Sequence, residues 1–181
     1  MLFRSLDYLR SKGVRKTVYV SSWNVSKNRD RFYALEAEAK IKGYKKFNED
    51  HAEMSGSVLT PPMPENTDIY YEIRNACSSI LENRELLNGV EAILAHNDIV
   101  AQGVVAALRE LGLKPGKDIL VTGEGDYSAF RYQVPSITTI SYDKTFLSET
   151  VSSVFGKRRE SPEMTPFDIY VPSLIIGKES A

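Results

Sequence analysis

VEAILAHNDIVAQGVVAALRELGLKPGKDILVTGEGD, Val90 to Asp126, is the stretch that decides the fold. An apolar run ends at the polar step Asn97-Asp98, an amphipathic segment follows, and after a turn at Lys114-Pro115-Gly116 a second apolar run closes on Gly123 and Gly125. A short apolar run gives way to an amphipathic period of 3.6 and then to a second apolar run, which is the pattern of a β-α-β unit. Asn97 and Asp98 then fall where a strand ends and a helix begins. In open α/β sheets that edge is where ligands are held, because strand ends and helix amide groups converge there. The sequence points first at small-molecule binding.

Outward from this unit the alternation continues. Leu2, Leu6 and Leu9 share one helical face before Gly13, and Thr17 to Ser21 is β-branched and aromatic, hence a strand. Asn28 to Lys42 reads as a second helix with Gly43 as its C-cap, followed by a short strand over Lys45 to Asn48. Glu49 to Asn66, with Pro61, Pro62 and Pro64, reads as a long loop. Thr67 or Asp68 caps a third helix reaching Leu87, which leads into the strand Glu91 to His96. The helix Asp98 to Leu111 and the strand Ile119 to Thr122 complete the unit. A strand at Ile137 to Ser141, a helix at Lys144 to Gly156 and a terminal strand or strand pair in FDIYVPSLIIGK finish the chain. Short turns between such segments force right-handed crossovers. The expectation is an α/β fold, a parallel sheet flanked by helices on both faces, as in a flavodoxin-like or periplasmic-binding-protein-like lobe.

Composition excludes several classes of function. With 23 basic and 24 acidic residues in 181, the net charge of -1 gives no field that would draw this chain to DNA or to an acidic membrane. No segment approaches the roughly 20 apolar residues of a membrane span. Cys77, the single cysteine, rules out an internal disulfide and suits a reducing compartment, so the expected location is the cytoplasm. His51 and His96 lie far apart, and no Cys, His or carboxylate cluster has metal-ligand spacing, so neither metal nor cofactor is expected. No nucleophile elbow or phosphate loop is present, and Gly123-Glu124-Gly125 reads as a turn at a strand end. No catalytic residue is therefore proposed. Asn97 reads as a helix N-cap whose amide can also meet a ligand. Arg29 and Arg31 stand in a first helical turn, where the helix dipole disfavours them, and this suggests a bound or paired role.

Several motifs, in order, resemble the lactose-repressor (LacI/GalR) family of transcriptional regulators over nearly the whole chain apart from the Pro-rich loop. LAHNDIVAQGVVAALRELGLKPGKDILVTG is similar to the family's A-x-N-D-x-x-A-x-G helix followed by D-I-x-V-x-G. LDYLRSKGVRKTVYVSS, NRDRFYALEAEAK, VPSITTI and VPSLIIGKES resemble the segments of the second lobe that surround it. The resemblance implies that Arg31 and Asn97 hydrogen-bond the hydroxyls of a sugar or the polar edge of a purine. Ala34 stands where the family has glycine, and Gly125 stands where its ligand-binding aspartate is usual. Either Asp126 or Glu124 takes over the contact, or the ligand is atypical for the family. Trp23, Tyr70, Tyr71 and Tyr142 suit stacking on a sugar face and equally suit a core. Compared with the family, the DNA-binding head and the first lobe are missing; helix 1–13 and segment 143–181 would return toward that lobe.

Two functions are expected from different classes. The first is a sugar-sensing and dimerisation module of a transcriptional regulator, which reaches DNA only through the missing head. The second is a solute-binding component of a sugar transport system. For the dimer, the outer face of a helix with Gln102, Val105, Ala106 and Arg109 is expected to join Phe130 to Val134, which carries Phe130 and Tyr132.

Overall fold

The computed structural model describes residues 2–22, 31–62 and 69–181, and within them all side chains but those of residues 31–34. The described elements are α1 (Leu2–Ser11), β1 (Lys16–Val20), α2 (Arg31–Asp50), β2 (Ser55–Leu59), α3 (Ile69–Glu82), β3 (Ala92–Ala95), α4 (Asp98–Glu110), β4 (Leu120–Glu124), β5 (Thr138–Tyr142), α5 (Lys144–Glu160) and β6 (Ser173–Ile176), with 3-10 turns at Arg84–Leu87 and Ser128–Phe130. The strands form one sheet in the order β2-β1-β3-β4-β5-β6. The first five run parallel, whereas β6 pairs antiparallel with β5, so the sheet is mixed and not wholly parallel.

Strand alternation sends side chains to two cores. Val18, Val20, Ile93, Ala95 and Val121 face α3 and α4 and pack with Ile80, Val100, Val104 and Leu108. Tyr19 and Leu94 point the other way, onto Leu6 and Leu9 of α1 and Tyr44 and Phe47 of α2. Helix α1 is thus seated in this lobe. Helix α5 has no buried residue.

Four local expectations need correction. Gly43 does not end α2, which runs on to Asp50. Phe47, read as part of a strand at Lys45 to Asn48, and Tyr44 just before that stretch are instead buried helical residues on the α1 side of the sheet, and this burial outweighs the weak helix propensity of glycine. The stretch read as a long loop contains β2, which Ser55 to Leu59 form by pairing along β1 in register from Lys16 to Val20. Helix α3 stops at Glu82 and gives way to a 3-10 turn, and the tail supplies one strand, not a pair. The proposed caps Thr67 and Asp68 lie outside the described residues.

Register fixes the functional edge. Val20 sits opposite both Leu59 and Ala95, Leu94 opposite Thr122, and Thr122 opposite Thr138. The residues after these positions, from five parallel strands, emerge at one carboxyl edge, and the strand order reverses direction between β1 and β3.

Candidate functional site

Asn97 leaves β3 in extended backbone and caps α4: its Oδ1 accepts from Val100 N–H at 2.8 Å. Capping uses the oxygen only. The Nδ2 group faces Glu72 of α3, a long 3.4 Å contact to Oε1. Burial raises the Glu72 carboxyl above its ordinary value, which the Asn97 bond only partly offsets. Tyr70 and Tyr71, directly before Glu72, are exposed and meet edge to face.

Asp98 is buried, only 3% exposed, and points toward the turn after β4. Its Oδ1 accepts from Thr139 Oγ1 at 2.7 Å and its Oδ2 from Tyr127 N–H at 3.1 Å. Glu124 and Asp126 then part company. Glu124 is drawn to α2, where Lys40 Nζ stands 2.9 Å from it, 2.9 Å from Glu36, and 3.2 Å from the His96 carbonyl oxygen. Asp126 instead lies 3.0 Å from Lys178 Nζ and 3.3 Å from Lys144 Nζ. Burial pushes the Asp126 carboxyl up, but the two lysines outweigh it and hold the group below the usual carboxylate range. Of the two candidates to replace the usual aspartate, Glu124 is thus committed to an ion pair on the α2 side, and Asp126 is matched by two cations. Gly125 itself could not carry a longer side chain without strain. Its φ is +123°, and a Cβ would lie 3.0 Å from the Tyr127 ring.

Tyr142 ends β5 half exposed, one residue before Asp143, whose Oδ1 caps α5 by accepting from Phe146 N–H at 2.9 Å. The fold therefore brings Asn97, Asp126 and Tyr142 to the same edge of the sheet, on three successive strands. Arg31 opens α2, which follows β1, but its side chain is outside the described residues, as is all of Trp23. Sequence reasoning missed Glu72, Lys40, Lys144, Lys178, Tyr127 and Thr139. Thr139 in VPSITTI, Lys40 in NRDRFYALEAEAK and Lys178 in VPSLIIGKES sat in quoted motifs without a role of their own; the lysines read as ordinary surface residues until the fold places them.

The residues expected to form a dimer face divide. Gln102 and Val105, 7% and 1% exposed, are inside the lobe and cannot meet a second copy. Helix α4 packs along α3 so closely that a Cβ on Gly103 would clash with the Ile73 carbonyl oxygen and lie 2.7 Å from Ala76 Cβ. Ala106 is partly buried, and Arg109 is exposed and donates to the Val134 carbonyl oxygen. Phe130 is half buried against Tyr127, whereas Tyr132 is 91% exposed.

Among the described residues no group of carboxylates, histidines and cysteine could hold a metal ion, and no helix is long and apolar enough to cross a membrane.

Comparison with known proteins agrees with this geometry. The model of the periplasmic binding protein-like domain family matches residues 6–178. The HTH-type transcriptional repressor PurR of Yersinia enterocolitica serotype O:8 is 34% identical over 89 residues, which are 49% of this chain and 26% of that protein. The same values hold for its counterpart in Yersinia pestis strain Pestoides F. In fold, a crystal structure of the Lac repressor bound to ONPG in the repressed state superposes with a TM-score of 0.74 at 16% identity, over 99% of this chain and 50% of that one. A LacI family transcriptional regulator from Silicibacter pomeroyi gives 0.68 at 18%, over 99% and 60%. The chain thus spans about half the length of these solved proteins, and its match covers about a quarter of the curated repressors. With a family match over nearly all of its length, the chain belongs to the periplasmic binding protein-like domain family.

Proposed function

We propose that this lobe senses a small polar effector, a sugar or related molecule, for a cytoplasmic transcriptional regulator. The observation that supports it best is the carboxyl edge: Asn97 spends its oxygen on the α4 cap and keeps an amide donor beside Glu72, with Asp126 and Tyr142 on the next two strands. Arg31, which opens α2, and Trp23 are further proposed ligand contacts on the family resemblance. Binding against a first lobe supplied by a longer protein, toward which α5, unburied in this lobe, would return, shifts the population of closed lobes and so the DNA affinity of a separate head. A transport role has the weaker support, since the named relatives are repressors. Nothing in this reading calls for catalysis. A homodimer uses Ala106, Arg109, Phe130 and Tyr132, with Gln102 and Val105 beneath the surface.

The test is Asn97→Asp in the full-length regulator, with calorimetry against D-ribose, D-glucose, D-galactose and hypoxanthine. Aspartate keeps the capping oxygen and removes the donor. Binding of one of these to the native protein and a loss of about tenfold or more in the variant, with unchanged melting, is expected. Equal affinity in both removes Asn97 from the site. Sedimentation at micromolar concentration tests the dimer: Phe130→Asp should shift it to monomer, and a monomeric native protein refutes it.

A further inference from the structure

Asp98 is a buried carboxylate at the edge, and both of its oxygens are engaged. Oδ2 takes the Tyr127 N–H directly, and Oδ1 takes the Thr139 hydroxyl, whose oxygen in turn accepts from Asp126 N–H at 3.3 Å. One carboxylate therefore restrains two consecutive amides, one of them through a hydroxyl relay. The turn so held is one the backbone would not choose unaided. Asp126 has φ of +50° after a glycine at +123°, and left-handed backbone is costly for a residue with a side chain. Gly123 leaves the space that the Asp98 carboxylate fills, since a Cβ there would clash with Oδ1.

We infer that Asp98 is a positioning residue: acting through Tyr127 N–H and Thr139 Oγ1, it fixes the turn 125–127 so that Asp126 stands between Lys178 and Lys144 at the carboxyl edge. The importance of that placement for an effector rests on the function proposed above; the placement itself does not.

The experiment is NMR on the 181-residue chain, reading amide exchange at Tyr127 and the carboxyl titration of Asp126. Three variants are compared. Thr139→Val removes the relay hydroxyl, Thr139→Ser keeps it, and Asp98→Asn keeps one acceptor of two. In Asp98→Asn, Tyr127 exchange should accelerate by about tenfold or more. In Thr139→Val the Asp126 midpoint should rise toward the ordinary carboxylate value as the turn leaves its lysines, while Thr139→Ser titrates like the native chain. A residue that merely supported the core would change melting without moving the Asp126 titration. A native-like midpoint in Thr139→Val overturns the inference, and the threonine pair decides it even if Asp98→Asn fails to fold. Neither readout uses an effector, so a chain that binds no sugar leaves this inference intact, and an unmoved Asp126 leaves the sensor reading intact.

Discussion

Acidification should unfold this lobe through His96. The imidazole is buried on the α1 side of the sheet, its Nδ1 3.0 Å from the Tyr19 hydroxyl. Burial, and then the charge of nearby Lys40, push its pKa down to about 3, with Glu36 opposing weakly. A histidine held neutral in the fold stabilises it above the unfolded pKa of about 6.5, and that contribution is lost as pH falls toward about 3, because only the unfolded chain takes up the proton. From about pH 7.5 to about pH 5 the loss from this one group is about 2 kcal/mol, a large part of a domain's usual margin. Glu72 and Asp98, whose carboxyls burial raises, act with the opposite sign, so the native chain alone does not isolate the effect. His96→Asn does. Its side-chain oxygen can still accept from Tyr19 but takes up no proton, and the carboxyl contributions are common to both chains. Urea titrations at the two pH values should show the native chain losing about 2 kcal/mol more than the variant. Equal losses would refute the linkage.

Two further outcomes follow from packing and charge. Gly103→Ala should cost about 2 kcal/mol by driving α4 away from the Ile73 carbonyl and Ala76, read as a lower urea midpoint at unchanged slope; a neutral result would mean the helices separate freely. Lys40→Met should cost about 3 kcal/mol by leaving Glu124 and Glu36 uncompensated, and adding Glu124→Gln should recover much of it in a thermal melt, whereas additive losses would argue against the pair.

The central β-α-β unit was legible because its signals agree: apolar runs of strand length, a capping Asn97, and a helix closed at Gly112. Where signals conflicted, tertiary packing decided. Gly43 looks like a helix end, but Tyr44 and Phe47 beyond it are drawn into the core. Ser55 to Leu59 has little strand propensity of its own and is ordered by pairing with β1, an influence no local window contains. Gln102 and Val105 read as part of an outer face, whereas α4 is buried along most of its circumference. At the edge, Asn97 and Asp126 could be placed by counting to strand ends. The partners Lys40, Lys144 and Lys178 come from distant segments, and only the closed sheet shows which carboxylate each one reaches.

The antiparallel β6 and the residues after it have a consequence for how the lobe is made. Ser180 donates its hydroxyl to the Val121 carbonyl and accepts from the Val121 and Thr138 N–H groups inside the sheet, and Tyr8 of the first helix donates to the Ala181 carbonyl across 173 positions of sequence. During synthesis, then, α1 waits for residues made 173 positions later before the Tyr8 hydroxyl finds this partner. Contacts so distant in sequence slow folding, since the loop must close before they repay it. Until β6 is made the sheet has an open edge at β5, and that is the interval in which the nascent lobe is most exposed to pairing with a neighbour.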